Sequence, residues 1–129
     1  MCATIKAPEI LKSPETRTDD RTEPLVPVVV HFTCDPFYAD AMRVWRTTYL
    51  LDLDSAHRSE LIDKKNITYA PNWTFVQYGA SHRFTLYFAP LPKRVIQFDL
   101  REIIPQPGGW HIQGIRRNRE DVYQVRLPN

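Results

Sequence analysis

Glycine and cysteine are scarce in this chain of 129 residues, which has four glycines and two cysteines. It has no G-x-G-x-x-G segment, no phosphate-binding glycine loop and no G-x-S-x-G turn, so these nucleotide-binding and hydrolase motifs are excluded. It also lacks a C-x-x-C pair, which excludes a zinc knuckle and a thioredoxin-type redox pair. Cys2 and Cys34 are expected to be free thiols, and no cofactor is expected.

Long apolar runs and a strong net charge are absent as well. No segment approaches the roughly 18 apolar residues that a membrane helix requires, and the formal net charge is only +2. The overall charge therefore gives no reason to expect a nucleic-acid or membrane partner. Because the N-terminus lacks a basic start followed by an apolar stretch, it does not read as a secretory signal. A cytoplasmic location is expected.

The clearest pattern in the chain runs from Ser81 to Leu100. Apolar side chains alternate with polar ones over two segments separated by prolines, which predicts two β-strands with one buried face each. The predicted core-facing residues are His82, Phe84, Leu86 and Phe88 in the first strand, and Ile96, Phe98 and Leu100 in the second. An antiparallel sheet with water on one side is typical of this alternation.

The rest of the chain continues in short strands. Turn signals recur about every 8 to 12 residues, which favours a β-sandwich or barrel, and the last predicted strand is Val122–Leu127. We therefore predict an all-β, antiparallel sandwich of seven or eight strands with an immunoglobulin-like outline over residues 24–129. Residues 1–23 have few large apolar side chains and predict a flexible N-terminal tail.

Two segments, residues 38–45 and 56–65, fit either a helix or a strand. Ala41 to Leu51 is rich in β-branched and aromatic residues, which favours a strand with two partly buried faces. A helix over residues 38–45 is the alternative. The segment 56–65 predicts one or two turns of helix or an exposed strand.

The later part of the chain carries a resemblance. The segments HRFTLYFAPLPKRVIQFDL, GGWHIQGI and RRNREDVYQVRL are similar to a group of short, uncharacterised bacterial proteins with an all-β, immunoglobulin-like outline. The resemblance covers residues 41–127 and concerns the pattern alone. It implies a sandwich fold, and it transfers no activity and no functional residue.

The polar residues do not form a recognisable catalytic or metal-binding motif. The histidines lie at least 25 residues apart, whereas zinc ligands usually include a closely spaced pair. They therefore predict partly buried imidazoles with hydrogen-bond partners. Ser59 follows His57 by two residues, but closeness in sequence does not make a triad. A small metal-dependent enzyme that uses His57, His82 and His111 is kept as an alternative function.

The most basic segment is the turn that contains Arg116, Arg117 and Arg119. Residues 81–129 carry eight basic and four acidic side chains, a net charge of +4. With aromatic neighbours such as Trp110 and Tyr87, these arginines could contact single-stranded nucleic acid through charge and stacking. The simpler interpretation is a solvated turn whose arginines are offset by neighbouring carboxylates.

Aromatic residues are abundant, with six phenylalanines, six tyrosines and three tryptophans. One small core cannot hold them all, and exposed aromatics with arginines are enriched at protein interfaces. We therefore predict a non-enzymatic binding or assembly module that recognises a protein partner, or itself, through an aromatic and arginine-bearing sheet face. The alternative is a domain that binds nucleic acid or another polyanion through the 116–119 turn. The predicted binding residues are Arg116, Arg117, Arg119, Trp110, Trp73 and Tyr87.

Overall fold

A computed structural model describes residues 26–128 as an all-β domain. Within that range there is no helix, which confirms the all-β prediction. The predicted flexible tail, residues 1–23, lies outside the described residues. The strands are β1 (Val28–Cys34), β2 (Ala41–Met42), β3 (Thr48–Asp52), β4 (Arg58–Lys65), β5 (Thr74–Phe75), β6 (His82–Phe88), β7 (Gln97–Glu102), β8 (His111–Arg116) and β9 (Val122–Leu127).

Seven of the strands form one sheet in the order β8-β7-β3-β4-β6-β1-β9, and β2 pairs with β5 in a second, small sheet. The large sheet curls into a half-barrel. The rings of Phe98 on β7 and Tyr123 on β9 lie 5.2 Å apart, although four strands separate β7 from β9 in the sheet order. The curl therefore brings the two ends of the sheet together over one core. An immunoglobulin-like sandwich of two facing sheets stays a prediction.

The strand directions include one departure from the expected antiparallel arrangement. β1 and β9 are parallel, with Val29 opposite Val122 and Cys34 opposite Leu127. The other neighbours in the large sheet are antiparallel. The wholly antiparallel prediction is wrong at this pair, because local alternation fixes which face of a strand is buried but not which strand lies beside it.

The alternation predicted between Ser81 and Leu100 is largely present. Phe84, Leu86 and Phe88 are buried in β6, and Phe98 and Leu100 are buried in β7. The two strands are not neighbours, since β3 and β4 lie between them in the sheet.

Two residues of this stretch depart from the predicted alternation. Ile96 is 63% exposed because β7 begins one residue later, at Gln97, so its assignment to the core is wrong. Thr85 faces away from the core, yet it is only 9% exposed and its hydroxyl bonds His31 Nδ1 on the outer face.

The two ambiguous segments are strands and loops. Residues 38–45 contain the two-residue strand β2, and residues 56–65 contain β4. The stretch from Ala41 to Leu51 does not form one strand. The backbone of Val44 instead pairs with the loop before β5, since its N–H donates to Thr68 O and its carbonyl accepts from Ala70 N–H, each at 2.9 Å. This pairing brings the residues on either side of Val44, Arg43 and Trp45, close to Trp73, which precedes β5.

Candidate functional site

The three tryptophans of the chain line a single cavity of about 350 Å³, which we call the tryptophan pocket. Trp45 follows β2, Trp73 precedes β5 and Trp110 precedes β8. The three indoles therefore come from separate loops that the fold brings together. Indole rings offer large, rigid contact surfaces, and they are among the side chains that contribute most to binding at interfaces.

Glu102, the last residue of β7, joins two of these loops. Its Oε2 accepts the backbone N–H of Trp45 at 3.0 Å, and its Oε1 accepts that of Trp110 at 3.3 Å. The residue is only 8% exposed, and burial raises the pKa of its carboxyl while the two backbone N–H groups oppose that rise. Because both oxygens are used in this way, Glu102 acts as a positioning residue for the pocket.

Trp110 forms the inner wall of the pocket and connects it to the core. Its ring stacks on Phe32 and Phe84, with a centroid distance of 5.6 Å to each. Its Nε1–H donates to the hydroxyl of Tyr38 at 3.3 Å. A stacked ring with a satisfied N–H is held in one orientation, so this wall of the pocket is preorganised.

Arg43 forms the opposite side of the pocket. The β2–β5 pairing places Ala41 opposite Phe75, and in the same register Arg43 lies across from Trp73. Its guanidinium lies 3.9 Å from the centroid of the Trp73 ring and 5.4 Å from that of Trp45, and its Nη1 donates to Pro71 O at 3.1 Å. Exposed cation–π contacts of this kind are worth about 0.5–1 kcal/mol.

Beyond Arg43, four large aromatic side chains reach solvent around the small sheet, and we call them the aromatic face. Phe37 is 68% exposed, Trp73 49%, Phe75 80% and Tyr78 86%. The rings of Phe37 and Tyr78 contact each other edge to face at 5.0 Å. With roughly 150–250 Å² for each aromatic side chain, the exposed part amounts to roughly 400–700 Å². This summed area is comparable with that of the largest apolar patches of ordinary monomers, which are often functional.

Two of the six residues predicted for binding lie in this site, namely Trp73 and Trp110. Tyr87 lies elsewhere, on β6 between Val29 and Asp63 of the neighbouring strands. The arginines of the 116–119 turn lie at the far end of β8, since Trp110 precedes that strand and the turn follows it. Arg116 and Arg119 are exposed there.

Arg117 is held inside that turn. Its Nε and Nη2 donate to the two oxygens of Asp121 at 2.5 and 2.9 Å. The guanidinium also donates to the carbonyls of Pro92, Val95 and Leu91 at 2.8, 3.0 and 3.3 Å. These contacts fasten the β6–β7 loop to the β8–β9 turn and occupy the donors that a ligand would need.

The predicted binding residues did not include Arg43, Trp45, Tyr38 and Glu102 of the pocket, nor Phe37, Phe75 and Tyr78 of the aromatic face. A partial signal was available, because Arg43 and Trp45 are two residues apart in an extended segment and so point to the same side. Nothing local indicated that Trp73 and Trp110 would join them.

The histidines of the metal-dependent alternative have three separate partners. His57 Nε2 bonds Ser59 Oγ at 2.9 Å, His82 Nε2 bonds Asn66 O at 3.0 Å, and His111 Nε2 bonds Asp99 Oδ2 at 3.1 Å. Within residues 26–128, no group of three or more His, Cys, Asp or Glu side chains is arranged to hold a metal ion.

The Ser59–His57 contact is unsuited to nucleophilic catalysis. Ser59 is 1% exposed, and its hydroxyl donates to Pro90 O at 3.1 Å. A catalytic serine needs an oxygen that reaches the substrate and gives its proton to the imidazole. Here the hydroxyl proton is directed at the backbone carbonyl of Pro90. The Ser59–His57 pair therefore holds the start of β4 against the segment that follows β6.

Comparison with known proteins adds no identification, because the chain matches no protein-family model, no curated protein and no solved structure. Among the described residues, no helix has the length and apolar character needed to cross a membrane.

Proposed function

We propose that this chain is a non-enzymatic binding and assembly module that recognises a protein surface through the aromatic face and the adjoining tryptophan pocket. The observation that carries the proposal is the exposure of Phe37, Phe75 and Tyr78, each by two thirds or more. Leaving so much aromatic surface in water is unfavourable, by roughly 25 cal/mol for each Å² of apolar area. A partner that covers this surface removes that cost.

The composition of the surface also supports a protein partner. Tryptophan, tyrosine and arginine are the residue types that most often dominate binding energy at protein interfaces. Here Trp73 and Arg43 stack on each other at the centre of the surface, and Phe75 and Tyr78 extend it. The stacked pair is already ordered, so binding loses less side-chain freedom there.

The partner that this surface favours is a second copy of the chain. The four side chains of the aromatic face are uncharged, so the face needs no oppositely charged surface and can pack against itself about a two-fold axis. Its roughly 400–700 Å² of exposed ring surface, with the residues around it, approaches the roughly 800 Å² that each partner contributes to a standard interface.

The resemblance noted in the sequence gives this proposal a further, fold-level reason. An immunoglobulin-like sandwich would be a common framework for binding surfaces, although fold alone does not establish function. The contacts around Arg43 and Trp73 support the proposal without it.

The test is solution mass as a function of protein concentration, measured by light scattering and sedimentation. The chain has a mass of 15.1 kDa, and we expect the mass to rise toward twice that value with concentration. Phe75→Lys combined with Tyr78→Lys should keep the chain monomeric. Ile96→Lys is the matched control, because Ile96 is also exposed but lies beside Arg117 at the opposite end of β8.

Three results would count against the proposal. A monomer at every concentration would exclude self-recognition, and a photo-crosslinker at position 75 that then captures no other protein would exclude recognition of a different partner. Association that Ile96→Lys abolishes as fully as the double substitution would place the interface elsewhere.

A further inference from the structure

A second cavity, of about 660 Å³, lies on the outer face of the large sheet and is separate from the tryptophan pocket. The strands that form it are β4, β6, β1 and β9. Along these strands Phe32 and Phe84 turn inward to the core, so their sequence neighbours turn outward. The polar residues that line the cavity are His31, Thr33, Lys65, Asn66, Arg83, Thr85 and Gln124. We call it the outer cleft.

The strand register aligns four of these residues in one row across the sheet. Lys65 is opposite Thr85, Thr85 is opposite His31, and His31 is opposite Gln124. Adjacent strands lie about 4.8 Å apart, so the row extends over roughly 14 Å. Arg83 lies two residues from Thr85 along β6, on the same face of the sheet, so a second cation borders the row.

The charges of the outer cleft are of one sign. Lys65 and Arg83 line it, and no carboxylate does. Within residues 26–128, neither of these two side chains has an ion pair or a side-chain hydrogen bond with another described residue. The nearest acidic residue on the same strand, Asp63, lies outside the lining, and its carboxylate accepts the N–H of Lys64 at 2.7 Å.

A hydrogen bond inside the cleft orients one of its neutral side chains. Thr85 is 9% exposed, and its hydroxyl bonds His31 Nδ1 at 2.8 Å. That bond fixes the imidazole, and the other ring nitrogen, Nε2, has no hydrogen-bond partner within the described part of the chain. The cleft therefore combines two cations that have no charge partner among residues 26–128 with an oriented imidazole and the amide of Gln124.

We propose that the outer cleft binds a small ligand that carries a phosphate or pyrophosphate group, with Lys65 and Arg83 as its charge partners. Phosphate oxygens favour a guanidinium and an ammonium together, because charged donors make shorter and stronger hydrogen bonds than neutral ones. His31 and Gln124 would donate to the remaining oxygens. The volume of about 660 Å³ lies within the range of small-molecule sites, about 300–1,000 Å³.

The charge distribution favours a small ligand over a nucleic acid. A polyanion requires a basic track that continues beyond one cleft. Arg126, the next cation along the row of Arg83 and Thr33, is paired with Asp35. The track therefore ends at the cleft, which leaves room for one or two phosphate groups.

Calorimetry with inorganic pyrophosphate as the probe, at low salt, tests this proposal. We expect Lys65→Ala and Arg83→Ala each to weaken binding about tenfold or more, as is usual when a charged hydrogen-bond donor is lost. Arg116→Ala and Arg119→Ala, each made singly, are the charge-matched controls, and each should leave pyrophosphate affinity within about twofold. Both cleft cations are exposed, so thermal unfolding should show that these variants fold.

Three results would overturn the proposal. The first is wild-type protein that does not bind pyrophosphate at millimolar concentration. The second is an equal loss of affinity in the controls, which would indicate nonspecific attraction. The third is a single-stranded oligonucleotide that binds through Lys65 and Arg83 while pyrophosphate does not compete, which would identify a nucleic-acid site. None of these outcomes depends on the aromatic face, whose variants leave the cleft intact.

Discussion

Arg117 and Asp121 face each other across the β8–β9 turn, with Nε 2.5 Å from Oδ1 and Nη2 2.9 Å from Oδ2. The hydroxyl of Tyr123 also donates to Asp121 Oδ1, at 2.8 Å, and accepts the N–H of Asn118 at 3.0 Å. Asp121 is buried and has a positive φ of 58°. This pairing offsets the burial of a charge and holds the turn in a left-handed conformation that non-glycine residues seldom adopt.

Arg117→Ala is expected to destabilise the protein by about 3–5 kcal/mol, because it leaves the buried carboxylate of Asp121 without its partner. Arg116→Ala and Arg119→Ala remove the same charge from exposed neighbours and should change stability by no more than about 0.5 kcal/mol. Urea unfolding of the three variants measures this difference. Equal effects in all three would mean that Arg117 contributes no more than surface charge.

Glu102→Gln is expected to lower stability by about 1–3 kcal/mol. One amide oxygen cannot serve both Trp45 N–H and Trp110 N–H, so one of them is left without an acceptor. The pH dependence should change as well. Burial raises the folded-state pKa of Glu102, so in the wild type this group reduces stability as pH rises from the ordinary range of a glutamate through that raised value.

The measurement is the free energy of unfolding of wild type and Glu102→Gln between about pH 4 and pH 8. The gap between the two proteins should be widest at the acidic end, where wild-type Glu102 is protonated, and should narrow as the pH rises. A gap that widens with rising pH would show that the pKa is shifted in the other direction. No gap at any pH would mean that Glu102 does not hold the two tryptophan loops.

Cys34 is expected to resist thiol reagents in the folded protein. Burial, with a smaller effect of neighbouring Asp35, raises the pKa of its thiol to about 11, and the thiolate is the reactive form. In a Cys2→Ser protein, which isolates Cys34, a disulfide reagent at pH 8 should react slowly without denaturant. The reaction should be complete once the chain is unfolded in urea. Fast reaction of the folded protein would show that the thiol is accessible.

Ser55→Ala is expected to lower stability by about 1 kcal/mol at neutral pH, and by less in acid. The hydroxyl of Ser55 donates to Asp52 Oδ2 at 2.5 Å, and the N–H of Asp54 donates to Oδ1 at 3.0 Å. These bonds lower the pKa of Asp52, the Ser55 bond most. Their contribution is complete above the ordinary range of an aspartate and is lost as pH falls through the lower, folded-state value.

Acid unfolding of wild type and Ser55→Ala between about pH 2 and pH 6 checks this prediction. Asp54→Asn is the control, because its backbone N–H still donates to Asp52 and its own side chain is exposed. It should leave the pH profile of Asp52 unchanged. A stability difference between wild type and Ser55→Ala that stays constant over the whole range would show that the bond does not depend on the carboxylate charge.

Much of the secondary structure follows from local pattern. The predicted strand Val122–Leu127 coincides with β9, and Phe84, Leu86 and Phe88 face the core as expected. A period of two can be recognised from neighbouring residues alone, because successive side chains of a strand point to opposite faces. Ile96 shows where this fails, because the strand boundary, set by pairing with β8, falls one residue after it.

The candidate site could be predicted only in part. Trp73 and Trp110 were expected to bind because one small core cannot hold all the aromatic side chains, and aromatics with arginines are enriched at interfaces. Their shared pocket depends on Glu102, whose two oxygens hold loops that are far apart in sequence. Arg117 was also expected to bind a partner, but its guanidinium donates to three carbonyls of the β6–β7 loop. No sequence spacing shows that those carbonyls lie within reach.

The amino-acid sequence by itself determined that residues 26–128 are all-β, which faces of the main strands are buried, and that some of the aromatic residues would be left at the surface. Each of these properties depends on neighbouring residues and on how much apolar surface one small core can hold. Only the tertiary structure decided that Arg43 stacks on a tryptophan, that Arg117 pairs with Asp121, and that Arg83 lines a cleft with Lys65. The order of the strands and the curl of the sheet bring these side chains together. Both arise from pairings between distant segments, which local alternation does not specify.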